Sequence, residues 1–289
     1  MWGYKNFTVA GAGNIGQFII EELLKYKSDA AVSSVTVLTR NGGYASLAEK
    51  GAQIVTVDYS SPSSLASALE GTDVVVSTVT DEGVDGPQNA LAEAAKQVGV
   101  KLFIPSEFGN PTEGNTEGIW GVKNRLHRKL EEFGLPYALF YTGTFADWFF
   151  QPFFGWDFAN GKVFIRGRGD APVSFTHRRD IGRFVAYVVT QLPREQVEWK
   201  TFRIEGDRKS WNEIVEAYRT KTGKSLQITR QPRSELQAAV QKNPDDLVSV
   251  LSLEWDEGHG VVGNVEELSN KRFPKFNPTK VIDAILEDQ

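Results

Sequence analysis

Phe7-Thr8-Val9-Ala10-Gly11-Ala12-Gly13-Asn14-Ile15-Gly16 lies near the start of the 289-residue chain and decides its fold. A short apolar strand runs into G-x-G-x-x-G and then into a helix, Gln17 to Tyr26, with Phe18, Ile19, Leu23 and Leu24 as its apolar positions. Strand, glycine loop and helix in that order are what a dinucleotide-binding turn requires. Gly11 allows the tight turn, Gly13 lets the backbone approach a pyrophosphate, and Gly16 lets helix and strand pack closely. Asn14 and Ile15 lie in the same loop, and the free N–H groups of the helix start favour phosphate.

The next strand, Val35-Thr36-Val37-Leu38, ends at Thr39-Arg40-Asn41-Gly42-Gly43. A site for NAD usually carries Asp or Glu at this tip, to accept hydrogen bonds from the ribose hydroxyls. Here Arg40 stands instead. A guanidinium can hold a 2′-phosphate that a carboxylate would repel, so the pattern points to NADP(H). The plainer alternative is an exposed loop arginine.

Composition narrows the class. The formal net charge is −5 with 24% charged residues, which argues against an electrostatic nucleic-acid or membrane partner. There is no cysteine, hence no disulfide and no thiolate chemistry. No apolar run approaches the ~20 residues that span a bilayer. With the first strand so near the N-terminus, no signal peptide is expected, and the reading is a cytoplasmic protein.

Strands and helices alternate through the first half. Helices are expected at 46–50, 64–70, 88–98 and 122–133, and strands at 53–57, 73–77, 101–105 and 137–141. This is the pattern of an α/β, Rossmann-type doubly wound parallel sheet. Residues 1–144 are expected to form the NADP-binding domain. Residues 145–289 are expected to form a smaller mixed α/β, mainly substrate-binding region, with some segments returning to the first sheet. Ligands in such sheets bind at the carboxyl ends of the strands. That gathers the glycine loop, Arg40, Asp58, Thr78, Val79, Thr80, Pro105, Ser106, Glu107, Phe108, Tyr141 and Gly143 around one crevice.

From Phe145 the chain crowds Trp148, Phe149, Phe150, Phe153, Phe154, Trp156 and Phe158 into one segment. Such rings serve either as core or as the walls of a pocket for a flat apolar ligand. Further on, Ser210 and Glu213 form a capping box opening the helix 213–221, closed by Gly223. Ser234 is expected to cap another helix, and Ser252–Asn264 reads as a mobile loop.

No tyrosine is followed four residues later by lysine, no G-x-S-x-G is present, and the three histidines lack metal-ligand spacing. A metal is therefore not expected. Lys123 is the candidate acid/base. It is expected in the first turn of the helix after Pro105–Gly109, beside the apolar stripe Val122, Leu126, Leu130 and Phe133. Taken alone it also reads as a solvated helix lysine.

Three segments carry a resemblance: Asp73–Val79 (DVVVSTV), Gln88–Lys96 (QNALAEAAK) and Lys101–Gly109 (KLFIPSEFG). With Leu135-Pro136-Tyr137, His177–Gly182, Ser210–Val215 and Phe273–Phe276, they resemble the isoflavone reductase and phenylcoumaran benzylic ether reductase family, a branch of the NmrA-like, atypical short-chain dehydrogenases. The resemblance implies an NADPH-dependent reductase of aromatic, phenolic substrates, with Lys123 at the catalytic position and Arg40 on the 2′-phosphate. It also implies Phe108 near the nicotinamide and Thr78–Thr80 along the cofactor. His127, where relatives often carry arginine, is expected at the substrate with Phe149, Phe153 and Phe154. The rival readings are an NmrA-like dinucleotide-sensing regulator without turnover and a reductase of small quinones. Monomer and homodimer both remain open.

Overall fold

The computed structural model describes residues 3–80 and 85–287. The chain divides into two units. The first comprises Met1–Phe108, Thr112–Phe140 and Ile181–Phe202; the second comprises Gly109–Pro111, Tyr141–Asp180 and Arg203–Gln289.

In the first unit, β1 (Asn6–Ala10), α1 (Gly16–Ser28), β2 (Ser34–Thr39), α2 (Ala45–Glu49), β3 (Gln53–Thr56), α3 (Pro62–Leu69), β4 (Val74–Ser77), α4 (Gly86–Val98) and β5 (Leu102–Ile104) alternate. The strands form one parallel sheet in the order β3-β2-β1-β4-β5. Many of its buried positions are β-branched or aromatic: Val9, Val37, Val74, Val75, Val76 and Phe103 are each wholly buried. Runs of that kind suit a sheet covered on both faces. After α5 (Gly118–Phe133) the chain pairs Tyr137 with Phe103 in a parallel bridge and enters β6 (Ala138–Tyr141).

Several helix boundaries differ from expectation for local reasons. Helix α3 starts at Pro62, two residues early, because Ser61 accepts a hydrogen bond from Ser64 N (3.3 Å) and proline suits the first turn. Helix α5 starts at Gly118, four residues before the expected Val122, so Lys123 lies in its second turn and not its first. Its stripe is the expected one, with Leu126 and Leu130 fully buried.

The second unit opens with β7 (Thr144–Phe145), followed by β8 (Trp156–Asp157), β9 (Lys162–Arg166) and β10 (Val173–Thr176). Helix α6 (Arg178–Gln191) follows, its residues from Ile181 onward belonging to the first unit, where β11 (Lys200–Arg203) pairs with β6. The chain continues through β12 (Asp207–Lys209), α7 (Trp211–Thr222), β13 (Gln227–Gln231), α8 (Arg233–Lys242), α9 (Leu247–Asp256) and α10 (Val281–Glu287). Two small three-stranded sheets, β12-β10-β7 and β13-β9-β8, result.

The expected capping box is present: Glu213 N donates to Ser210 Oγ (3.2 Å) and Ser210 N to Glu213 Oε2 (2.7 Å). Ser234 is not a cap, since α8 begins at Arg233 behind Pro232. The expected mobile loop Ser252–Asn264 is corrected as well. Residues 252–256 complete α9, where Asp246 caps the helix start (Ser249 N to Asp246 Oδ1, 3.5 Å). The remainder is pinned, with Val262 N on Ser174 Oγ (3.1 Å), Arg203 Nη1 on Val262 O (2.9 Å) and Arg208 Nη2 on Gly263 O (2.7 Å).

Candidate active site

The strand order reverses between β1 and β4, and an open parallel sheet binds its ligand at such a switch point. The glycine loop follows β1 there. Gly11 has φ +96°, a conformation that strains an L side chain, and its N–H reaches back to Leu38 O (3.0 Å). A Cβ on Gly16 would lie 2.3 Å from Gly11 O and 2.6 Å from Thr78 Oγ1. Thr78, buried at the end of β4, donates its hydroxyl to Ala10 O and Gly11 O (both 3.0 Å), which ties the two loops together. A Cβ on Gly13 would meet nothing within 4 Å. Gly13 and Asn14 are exposed. Ile15 precedes α1 without a side-chain cap, and no acidic residue lies in the first turn. The loop thus offers helix N–H groups and open space to an anion.

Arg40 is exposed at the tip of β2 and forms no hydrogen bond or ion pair among the described residues. Burial pushes the nearby Tyr59 hydroxyl up to about 12, against the opposing pull of the Arg40 charge. An unpaired guanidinium beside a half-buried ring suits a phosphate and a flat base.

The loop after β5 is bound to its neighbours. Ser106 Oγ donates to Val79 O (2.9 Å), and Ser106 N donates to the fully buried Gln88 Oε1 (2.7 Å). Glu107 N reaches Pro105 O (2.9 Å). Phe108 takes φ +37°, unusual for a side chain this bulky, and its N–H reaches Phe140 O (3.0 Å). This turn drives Glu107 inward, leaving its side chain 1% exposed. Its Oε1 meets His127 Nε2 at 2.7 Å, while Oε2 accepts from Thr112 Oγ1 (3.3 Å) and pairs with Lys123 Nζ (3.7 Å). Lys123 Nζ also donates to Glu107 O (3.1 Å). Hydrogen bonds, joined by the backbone links Thr78–Val79 and Ser106–Glu107, therefore connect the glycine loop to the turn that holds the Lys123 amine.

Lys123 and His127 lie one helical turn apart on α5 and converge on the same carboxylate. His127 is buried, with its ring stacked on Tyr137 (5.7 Å, 20°). Sequence reasoning missed Glu107 as the centre of this cluster. Its signal was a lone acid between Ser106 and Phe108, with Lys123 and His127 spaced i, i+4 downstream. Thr80 is exposed beyond β4.

Tyr141 and Gly143 fall in the second unit. Tyr141 is buried under the Arg203 guanidinium (5.1 Å), and Gly143 packs against Ser174. Phe149 is 8% exposed within an aromatic core, stacked on Phe154 (4.7 Å) and Trp211 (5.3 Å) and edge-on to Trp255 (5.3 Å). The gap among these rings has a volume of ≈ 20 Å³. Small-molecule pockets run to ~300–1,000 Å³, so these rings are packed as core within their own unit. Phe153 differs, with 75% of its surface exposed. Glu254, Glu257 and His259 bring ligand atoms within 4.8 Å of one another, but Glu257 is already paired with Arg233 (2.5 Å).

These features define a Rossmann-type dinucleotide-binding fold with a lysine-bearing polar cluster beside the switch point. The NmrA-like family model matches residues 5–279, and the chain belongs to the NmrA-like family. It is 28% identical over 264 residues to isoflavone reductase homolog P3 of Arabidopsis thaliana, covering 86% of this chain and 84% of that protein. It is 31% identical over 203 residues to phenylcoumaran benzylic ether reductase PT1 of Pinus taeda, covering 67% and 65%. Among solved structures, the leucoanthocyanidin reductase–NADPH binary complex of Vitis vinifera superposes with a TM-score of 0.83 at 26% identity, covering 98% of each chain. Among the described residues, no helix is long and apolar enough to cross a membrane.

Proposed function

We propose that this protein is an NADP-dependent oxidoreductase that reduces a small phenolic or similarly conjugated aromatic molecule, with Lys123 as its acid/base. The observation that carries the reading is the bonded path from the glycine loop through Thr78 and Ser106 to the anchored Lys123 amine. The residues present fit the cofactor. The glycine loop and uncapped α1 would hold the pyrophosphate, and Arg40, free of any carboxylate, would hold the 2′-phosphate.

When bound, the nicotinamide supplies the hydride. Lys123 carries a proton at Nζ, held against Glu107 O and the Glu107 carboxylate, and delivers it to the substrate atom that gains negative charge. The substrate class rests on the names of the relatives, which are reductases of isoflavone, phenylcoumaran ether and leucoanthocyanidin type.

Calorimetry with NADPH and NADH, followed by NADPH consumption with an isoflavone, a phenylcoumaran, a leucoanthocyanidin and a benzoquinone, tests the reading. Lys123→Ala is expected to lower kcat by about 10²–10⁴ while NADPH still binds. Tight NADPH binding with no turnover of any compound would favour a dinucleotide-sensing regulator instead.

A further inference from the structure

We infer that Glu107 and His127 are positioning residues that hold the Lys123 amine in place, an inference that rests on the proposed role of Lys123. A buried carboxylate is costly unless paired and hydrogen-bonded, and Glu107 is 1% exposed at the turn after β5. A neutral glutamine would fill the same space without that desolvation cost. What the carboxylate adds is a negative charge and two fixed acceptor oxygens, which Lys123 (3.7 Å) and His127 (2.7 Å) both reach.

The carboxylate is itself immobilised. Phe108, at φ +37°, sets the turn, and Thr112 occupies Oε2 (3.3 Å). His127 holds Oε1, and its imidazole plane is fixed by Tyr137 stacked on it, which in turn meets the Trp199 edge (5.2 Å, 75°). Burial and the Glu131 carboxylate push the Tyr137 hydroxyl up to about 12, so that ring stays neutral. With Oε1 bonded to His127, Oε2 is the oxygen that faces Lys123. Removing His127 frees the carboxylate to rotate, and the amine loses its fixed partner.

The test compares Glu107→Gln, His127→Leu, His127→Arg, Lys123→Ala and the double variant His127→Leu/Lys123→Ala, using whichever panel compound the wild type reduces fastest. Glu107→Gln and His127→Leu are expected to lower kcat by about ten- to a hundred-fold, the cost of misplacing a reacting group, with KM and NADPH affinity nearly unchanged. His127→Arg, which offers Glu107 a hydrogen-bonding side chain in the same place, should recover most of that loss. The double variant should be no slower than Lys123→Ala, because residues acting through one group are not additive. Unchanged kcat in Glu107→Gln, or losses that multiply in the double variant, would overturn the inference. Undiminished kcat in Lys123→Ala alone would instead reject the role of Lys123.

A second measurement needs no turnover. Acylation of Lys123 by acetyl N-hydroxysuccinimide, read by mass spectrometry against the exposed Lys25, should rise several-fold in Glu107→Gln. An unchanged ratio overturns the inference. Should His127→Leu fail to fold, His127→Gln keeps an N–H for Glu107 without a charge and takes its place.

Discussion

Gly13 and Gly16 occupy the same turn, yet alanine at each should have opposite consequences. At Gly16 the new methyl would sit 2.3 Å from Gly11 O and 2.6 Å from Thr78 Oγ1, so backbone has to move. Overpacking of that kind costs ~1–3 kcal/mol. The movement also weakens the Thr78 hydroxyl bonds to Ala10 O and Gly11 O and the Gly11 N bond to Leu38 O, at about 1 kcal/mol each. Against this, alanine gains ~1 kcal/mol of helix propensity at the first residue of α1. The clash wins by ~3–5 kcal/mol, which lowers Tm by roughly 6–20 °C. At Gly13 nothing lies within 4 Å and φ falls outside the left-handed range, so alanine should leave Tm unchanged or raise it slightly by about 0.4–1 kcal/mol of unfolded-state entropy. On the proposed reading its methyl would nevertheless occupy the approach to the pyrophosphate. Losing one charge-assisted bond there costs ~1.5–3 kcal/mol, or about ten- to a hundred-fold in Kd for NADPH. Thermal unfolding followed by circular dichroism and calorimetric titration of NADPH read both effects. Wild-type NADPH affinity in Gly13→Ala, or an unchanged Tm in Gly16→Ala, would refute this account of the turn.

Arg40→Ala should weaken NADPH by ~1.5–3 kcal/mol and leave NADH affinity unchanged; equal losses in the two titrations would show that Arg40 does not select the cofactor. Phe149→Ala removes the centre of an aromatic cluster and should cost ~3–5 kcal/mol of stability in thermal unfolding. Phe153→Ala, at an exposed ring, should stay within ~0.5 kcal/mol; a rise in KM at unchanged Tm would then mark Phe153 as a substrate contact. Burial alone would raise the Asp73 pKa, but Lys101 and the N–H groups of Lys5 and Asn6 outweigh it and hold the carboxyl below its ordinary range. The stability that Asp73 confers is therefore present at neutral pH and lost as pH falls through its depressed folded value. Asp73→Asn should cost roughly 1.5–3 kcal/mol at neutral pH and show a flatter acid limb in denaturant titrations run across the acidic range.

The alternation of short apolar strands with amphipathic helices, the glycine loop between Ala10 and Gly16, and the capping box at Ser210 were all legible, because each is a local pattern. Period, turn chemistry and capping act over a few residues, and the first sheet formed where that periodicity placed it. Boundaries were less legible where no side chain announces them. Gly118 opens α5 behind an uncapped Glu117, so the helix was expected four residues late and Lys123 in the wrong turn. In Ser252–Asn264 the glycines suggested mobility, while the residues that pin it, Ser174, Arg203 and Arg208, stand some 50 to 90 positions earlier.

Lys123 could be picked from the sequence as a candidate, but not its partner. A carboxylate becomes the hub of a cluster only when a turn buries it and two side chains from another element reach it. The left-handed Phe108 turn and the packing of α5 do both for Glu107. The aromatic segment divides in the same way. Composition alone made Phe149, Phe153 and Phe154 equivalent, and only the second unit's packing separates a core ring from an exposed one. Sequence thus determined the elements and the cofactor loop, whose physics is local. The environment of each side chain was decided by tertiary structure, because burial and charge pairing join residues far apart along the chain.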